Sequence, residues 1–140
     1  MQTILLVGKK DAGKTTTMDL VYHKLIELGA TEIKKREMPK NKNRDFECVL
    51  SYNGKKIGMF TMGDEKSEIN DPIVKYKDEC DIFLYTCRSE WRNSITISDV
   101  IDIEKKVACA IDNNKCTRLI VNLVSVMSEL DTIKITTNNK

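Results

Sequence analysis

The chain has 140 residues, of which 31% are charged and 41% apolar, and its formal net charge is +2. That is the size of a single domain, residues 1–140, around one core, and so small a net charge names neither a nucleic acid nor an acidic surface as partner. No apolar stretch approaches the roughly 20 residues of a membrane span, and "MQTILLVG" is too short for a signal peptide, so a cytoplasmic protein with no membrane partner is expected.

The first element is the run Thr3–Val7, apolar on both faces as a central parallel strand is. From Lys14 to Leu28, Met18, Val21, Leu25 and Leu28 recur at helical spacing, and Gly29 stands where the helix should stop. His23 falls on the polar stripe of that helix and reads as a solvated residue. "TEIKKRE" is compatible with a short edge strand, and "MPKNKNRD" is a loop by its proline and asparagines. Six basic residues lie in this region, Lys34, Lys35, Arg36, Lys40, Lys42 and Arg44, with Glu37 alone opposing them in the sequence.

"FECVLSYNGKKIGMFTMGD" predicts a hairpin turning at Asn53-Gly54. Asn70-Asp71-Pro72 predicts the cap of a short helix running to about Glu79, and Asp81–Cys87 a buried strand. Ser98 is placed to cap a further helix carrying Val100, Ile103, Val107 and Ile111. "TRLIVNLV" reads as a last firm strand, and "TIKITTNNK" as a frayed edge. This alternation predicts an α/β domain of three layers on a mainly parallel sheet, with one antiparallel hairpin strand. Ligands of such sheets bind beyond the carboxyl ends of the strands.

Cys48, Cys80, Cys87, Cys109 and Cys116 show no CxxC spacing, and His23 is the single histidine. A zinc site needs closely grouped ligands, so reduced, buried thiols are expected instead.

The chemistry concentrates in "VGKKDAGKTTT". Gly8, Lys9, Lys10, Asp11, Ala12, Gly13, Lys14 and Thr15 satisfy GxxxxGK[ST], a phosphate-binding loop between a strand and a helix. Its glycines let successive N–H groups face one concavity, and the helix behind adds unpaired N–H groups and a positive dipole end. Lys14 is expected to reach the β- and γ-phosphates and the Thr15 hydroxyl to ligate Mg²⁺, with Thr16 completing the cradle. An acid should share the metal. Asp64 ends the second hairpin run and is assigned that role, with Glu65 beside it as a base to be weighed. "CRSEWRNS" follows a strand into the same edge, so Arg88, or Arg92, is a candidate to neutralise charge on a transferred phosphoryl group or to hold a small anionic substrate. Trp91 is placed to stack on a base.

On these residues the chain resembles the P-loop NTPase superfamily, which implies ATP or GTP with Mg²⁺ and either hydrolysis or phosphoryl transfer. Lys9 with "GKTTT" is similar to the partitioning ATPases, whose loops read KGGxGKTTT and whose first lysine reaches a partner's nucleotide, a likeness compatible with a homodimer. Lys10-Asp11 replaces their two glycines. The hairpin before "TMGD" resembles small GTPases, but DxxG and [NT]KxD are absent, which leaves ATP as the expected nucleotide. In size the chain resembles small P-loop kinases, without a lid segment. The alternative is a nucleotide-binding module that hydrolyses poorly and acts on a partner through the basic run 34–44. Nucleic acid is disfavoured there for want of interleaved aromatics.

Overall fold

A computed structural model describes residues 1–9, 13–37, 45–62, 68–96 and 100–105. The elements are β1 (Gln2–Gly8), α1 (Lys14–Glu27), β2 (Thr31–Glu37), β3 (Phe46–Tyr52), β4 (Lys55–Phe60), α2 (Asp71–Tyr76), β5 (Ile82–Arg88), a 3₁₀ turn (Ser89–Ser94) and β6 (Val100–Lys105). The six strands form one sheet in the order β2-β3-β4-β5-β1-β6. β1 lies parallel to β5 and β6, and β4 parallel to β5, while β2–β3 and β3–β4 are antiparallel.

This corrects the expected three-layer domain on a mainly parallel sheet. The sheet is mixed, with half of it an antiparallel meander, and one face carries only the six-residue α2 and a 3₁₀ turn among the described residues. Connection length is the physical reason. β3 and β4 are joined by two residues, and β2 and β3 by residues 38–45, both shorter than the dozen or so that a parallel crossover needs. "TEIKKRE" therefore joins the hairpin as a third antiparallel strand at the edge, with a bulge at Ile33. The helix expected after Ser98 is also corrected. Residues 100–105 are β6, consistent with three β-branched residues in the first four positions of "VIDIEK". The strands expected at "TRLIVNLV" and "TIKITTNNK", with Cys109 and Cys116, lie outside the described residues.

α1 covers one face of the sheet. Its Met18, Val21, Tyr22 and Leu25 pack with Ile4 and Leu6 of β1, Phe46, Cys48 and Leu50 of β3, Ile57 and Met59 of β4, and Ile82 and Leu84 of β5. Each large apolar side chain buried this way contributes about 1.5–3 kcal/mol. Leu28, expected inside, is exposed at the helix end. The chain leaves the helix there through Gly29 at φ 103°, with Gly29 N–H donating to the Ile26 carbonyl and Ala30 N–H to the Leu25 carbonyl, a Schellman stop. The other face buries Leu5, Val7, Val49, Phe83 and Tyr85 under Ile69, Ile73 and Tyr76, with Trp91 against its margin. Asn53 and Gly54 turn the hairpin with φ of 49° and 76°, as a type I′ turn requires.

β4 approaches this second face closely. A Cβ added at Gly58 would stand 2.9 Å from Cys80 Sγ and 3.0 Å from Phe83 Cδ1, both of them buried. Gly58→Ala is therefore expected to cost about 1–3 kcal/mol by overpacking, read as a lower urea midpoint. Removing the sulfur with Cys80→Ala in the same chain should return part of that loss.

Candidate functional site

β1, β4 and β5 are parallel, so their carboxyl ends share one edge of the sheet, and α1 starts from that edge. Gly8 closes β1. Gly13 precedes the helix at φ 84° and ψ 25°, a left-handed conformation that costs a side chain roughly 1–2 kcal/mol, which is why the second glycine of the motif stands there. The Lys14 ammonium donates to the Gly8 carbonyl at 3.1 Å and to the Lys9 carbonyl at 2.7 Å. Two carbonyls of the loop thus hold the cation at the loop itself. Thr17 bonds back to the Gly13 carbonyl with both its N–H, at 3.0 Å, and its hydroxyl, at 2.9 Å. Among the described residues no side chain caps α1, and its first turn carries no acid, so there the helix itself does not neutralise its positive end. Thr16 and Lys9 are exposed beside it. Lys10, Asp11 and Ala12 lie outside the described residues.

Thr15 points to a carboxylate that the sequence reading did not single out. Its hydroxyl donates to Asp45 Oδ1 at 2.8 Å. Asp45 is 1% exposed, and the Thr61 hydroxyl stands 3.1 Å from the same oxygen. The Thr86 hydroxyl in turn donates to the Thr61 carbonyl at 3.0 Å. These residues come from four places: the start of α1, the residue before β3, the residue after β4, and β5. Asp45 was missed because acids were sought only where strands end. β3 runs antiparallel to β4, so its first residue lies at the edge where the parallel strands finish. The available signal was an acid directly before a largely apolar strand run, "DFECVL". Asp64 and Glu65, the expected acid and base, lie outside the described residues.

No family model, curated protein or solved structure matches the chain. The site therefore rests on its own geometry.

Arg88 ends β5 opposite Gly8 in the β1–β5 register. Its guanidinium lies over the Trp91 ring, 4.5 Å from the centroid, and 3.8 Å from Glu90. Trp91 is thus stacked on an arginine and packed at the core margin rather than open to a base. Arg92 donates to Asp102 at 2.8 Å. Cys87, between Thr86 and Arg88, is fully buried, and burial pushes its thiol up to about 11 despite the nearby Arg92 and Lys14, which makes it inert. Cys48 and Cys80 are likewise buried free thiols. Asp81 lies at the other end of β5, where its carboxylate accepts the Lys56 N–H at 2.9 Å. His23 is exposed on α1, 3.6 Å from Asp19.

The basic run looks different in three dimensions. Lys34 meets Glu79 at 2.7 Å, Arg36 meets Glu47 at 2.8 Å, and Lys35 sits over the Tyr22 ring and 3.2 Å from Glu37. The two carboxylates that answer Lys34 and Arg36 are distant in sequence, which is why Glu37 alone seemed to oppose the run. Lys40, Lys42 and Arg44 lie outside the described residues. Among the described residues no group of three or more His, Cys, Asp or Glu side chains is placed to hold a metal, and no helix is long and apolar enough to cross a membrane.

Proposed function

We propose that the chain binds a nucleoside triphosphate with Mg²⁺ at Gly8–Thr16 and acts on its phosphate bonds, with ATP as the expected nucleotide. The observation that carries this reading is the Lys14 ammonium fixed by the Gly8 and Lys9 carbonyls, beside a helix start that carries no negative charge of its own. A cation held in place and a row of helix-terminal N–H groups suit a polyphosphate. The donor set beside them is all oxygen, a threonine hydroxyl and a buried carboxylate, which fits a hard cation such as Mg²⁺ and not a soft one. Thr15 and Asp45 would hold the metal, while Asp64, expected in that role, lies outside the described residues. Bound there, Mg²⁺ would offset phosphate charge. Lys14 and the loop amides bind and orient the phosphates, and Arg88 stands at the adjacent strand end as the further cation. The alternative is a module acting through the basic run 34–44, of which Lys34, Lys35 and Arg36 pair with carboxylates and Lys40, Lys42 and Arg44 lie outside the described residues.

Calorimetric titration with ATP, GTP and ADP, each in Mg²⁺ and in EDTA, tests the reading. ATP binding strengthened by Mg²⁺ is expected, and no binding of ATP or GTP at millimolar concentration would sink it. Asp45→Asn keeps the shape and the acceptor oxygen but removes the charge. It should abolish most of the Mg²⁺-dependent gain while leaving binding in EDTA nearly unchanged.

A further inference from the structure

We propose that Thr61 positions Asp45 for the metal, an assignment that rests on the nucleotide reading above. Thr61 directly follows β4 and is 3% exposed. Every polar atom it carries has a partner. Its N–H donates to the Phe46 carbonyl at 3.0 Å, and its carbonyl accepts the Thr86 hydroxyl at 3.0 Å. Its own hydroxyl accepts the Phe46 N–H at 2.9 Å.

A hydroxyl has one hydrogen to give. Two acceptors compete for it, Asp45 Oδ1 at 3.1 Å and the Phe46 carbonyl at 3.3 Å. The carboxylate is both nearer and charged, so it takes the hydrogen, and charge-assisted bonds of this kind are the stronger ones. The Phe46 N–H, by occupying a lone pair of the same oxygen, fixes the direction in which the hydrogen leaves.

The Thr15 hydroxyl donates to the same Asp45 oxygen. The two donors are not equivalent. Thr15 would turn its oxygen to a metal and so withdraw its hydrogen bond from Asp45. Thr61 would stay, because its N–H is bonded to the Phe46 carbonyl and its carbonyl to the Thr86 hydroxyl. It is thus the donor that keeps the carboxylate aimed at Thr15 when the metal enters, and Thr86 holds its carbonyl in place. Thr61 touches neither phosphate nor metal in this scheme.

The test compares ATP affinity in Mg²⁺ with that in EDTA for wild type, Thr61→Val and Thr61→Ser. Valine keeps the shape and loses the hydroxyl, and serine restores it. An outer partner of a metal ligand typically accounts for about 10–100-fold in metal affinity. Thr61→Val is therefore expected to shrink the Mg²⁺/EDTA affinity ratio about tenfold, with binding in EDTA unchanged and serine close to wild type. A merely structural role would lower the melting temperature of the valine variant but leave that ratio alone, and this result would overturn the proposal. If valine prevents folding, Thr61→Cys supplies a weak S–H donor of similar size, and its Mg²⁺/EDTA affinity ratio is expected to fall below that of serine. A cysteine ratio equal to wild type overturns the proposal as well. The wild-type arm keeps the two readings apart. If wild-type ATP binding does not depend on Mg²⁺, the metal reading fails and Thr61 falls with it. If it does and valine changes nothing, only Thr61 fails.

Discussion

Replacing Lys14 with methionine is expected to weaken ATP binding by about 10- to 150-fold, in Mg²⁺ and in EDTA alike. Methionine keeps an unbranched stem and removes only the ammonium. Charge-assisted hydrogen bonds are worth about 1.5–3 kcal/mol each, and 1.4 kcal/mol is a factor of ten in affinity. Lys14 Nζ is anchored by the Gly8 and Lys9 carbonyls, so the cation does not have to be ordered when the ligand arrives, and little of that energy is spent on side-chain entropy. The fold should survive. Lys14 is not a core residue, and methionine keeps its stem while forfeiting its bonds to two loop carbonyls. The Mg²⁺/EDTA ratio should also survive, since Thr15 and Asp45 are untouched. This separates Lys14 from Asp45, whose loss acts only through the metal. A methionine variant that binds ATP as tightly as wild type would show that the loop is not the phosphate site.

Glu47→Ala is the substitution expected to cost most stability, about 2 kcal/mol or more. The Glu47 carboxylate on β3 accepts the Tyr76 hydroxyl at 2.7 Å, stands 3.2 Å from the Lys75 ammonium and 2.8 Å from the Arg36 guanidinium. It ties α2 and the edge strand β2 to the middle of the sheet. The two cations are more than half exposed, so solvent screens them and their share is small. The Tyr76 hydroxyl is buried and would lose its acceptor, at a cost of about 1–3 kcal/mol.

Burial pushes the Glu47 carboxyl up, but the Tyr76 hydroxyl, Lys75 and Arg36 together outweigh it and hold it below the ordinary carboxylate range. A carboxyl lowered in the folded state binds its proton more readily when unfolded. Its contribution is therefore fully present above the ordinary value of about 4.3 and is lost as pH falls through the lowered folded value. Urea unfolding at neutral pH should show a wide gap between wild type and variant, and the gap should narrow in acid below about pH 4. A gap independent of pH would mean that the ionised carboxylate does not hold these elements.

Elements whose physics is local were legible in the order of residues alone. Gly8 to Thr15 places a glycine-bounded loop between an apolar strand and an amphipathic helix, and Gly29 ends that helix through its own backbone bonds. Asn53-Gly54 turns a hairpin because only a few residues accept two successive positive φ angles. The apolar run expected as a strand at Asp81–Cys87 forms the buried β5, Ile82–Arg88.

Tertiary structure decided what depends on strand direction and on partners distant in the chain. The antiparallel run of β3 brings Asp45 to the carboxyl edge, where a residue preceding a strand would not be sought. A period of 3.6 fitted Val100 and Ile103, but pairing with β1 made residues 100–105 a strand. The basic residues Lys34 and Arg36 seemed unopposed until Glu79 and Glu47 reached them from other elements. A sequence gives spacing along one line, whereas charge neutralisation and ligand sets are made between lines, and only the sheet order fixes which lines are neighbours.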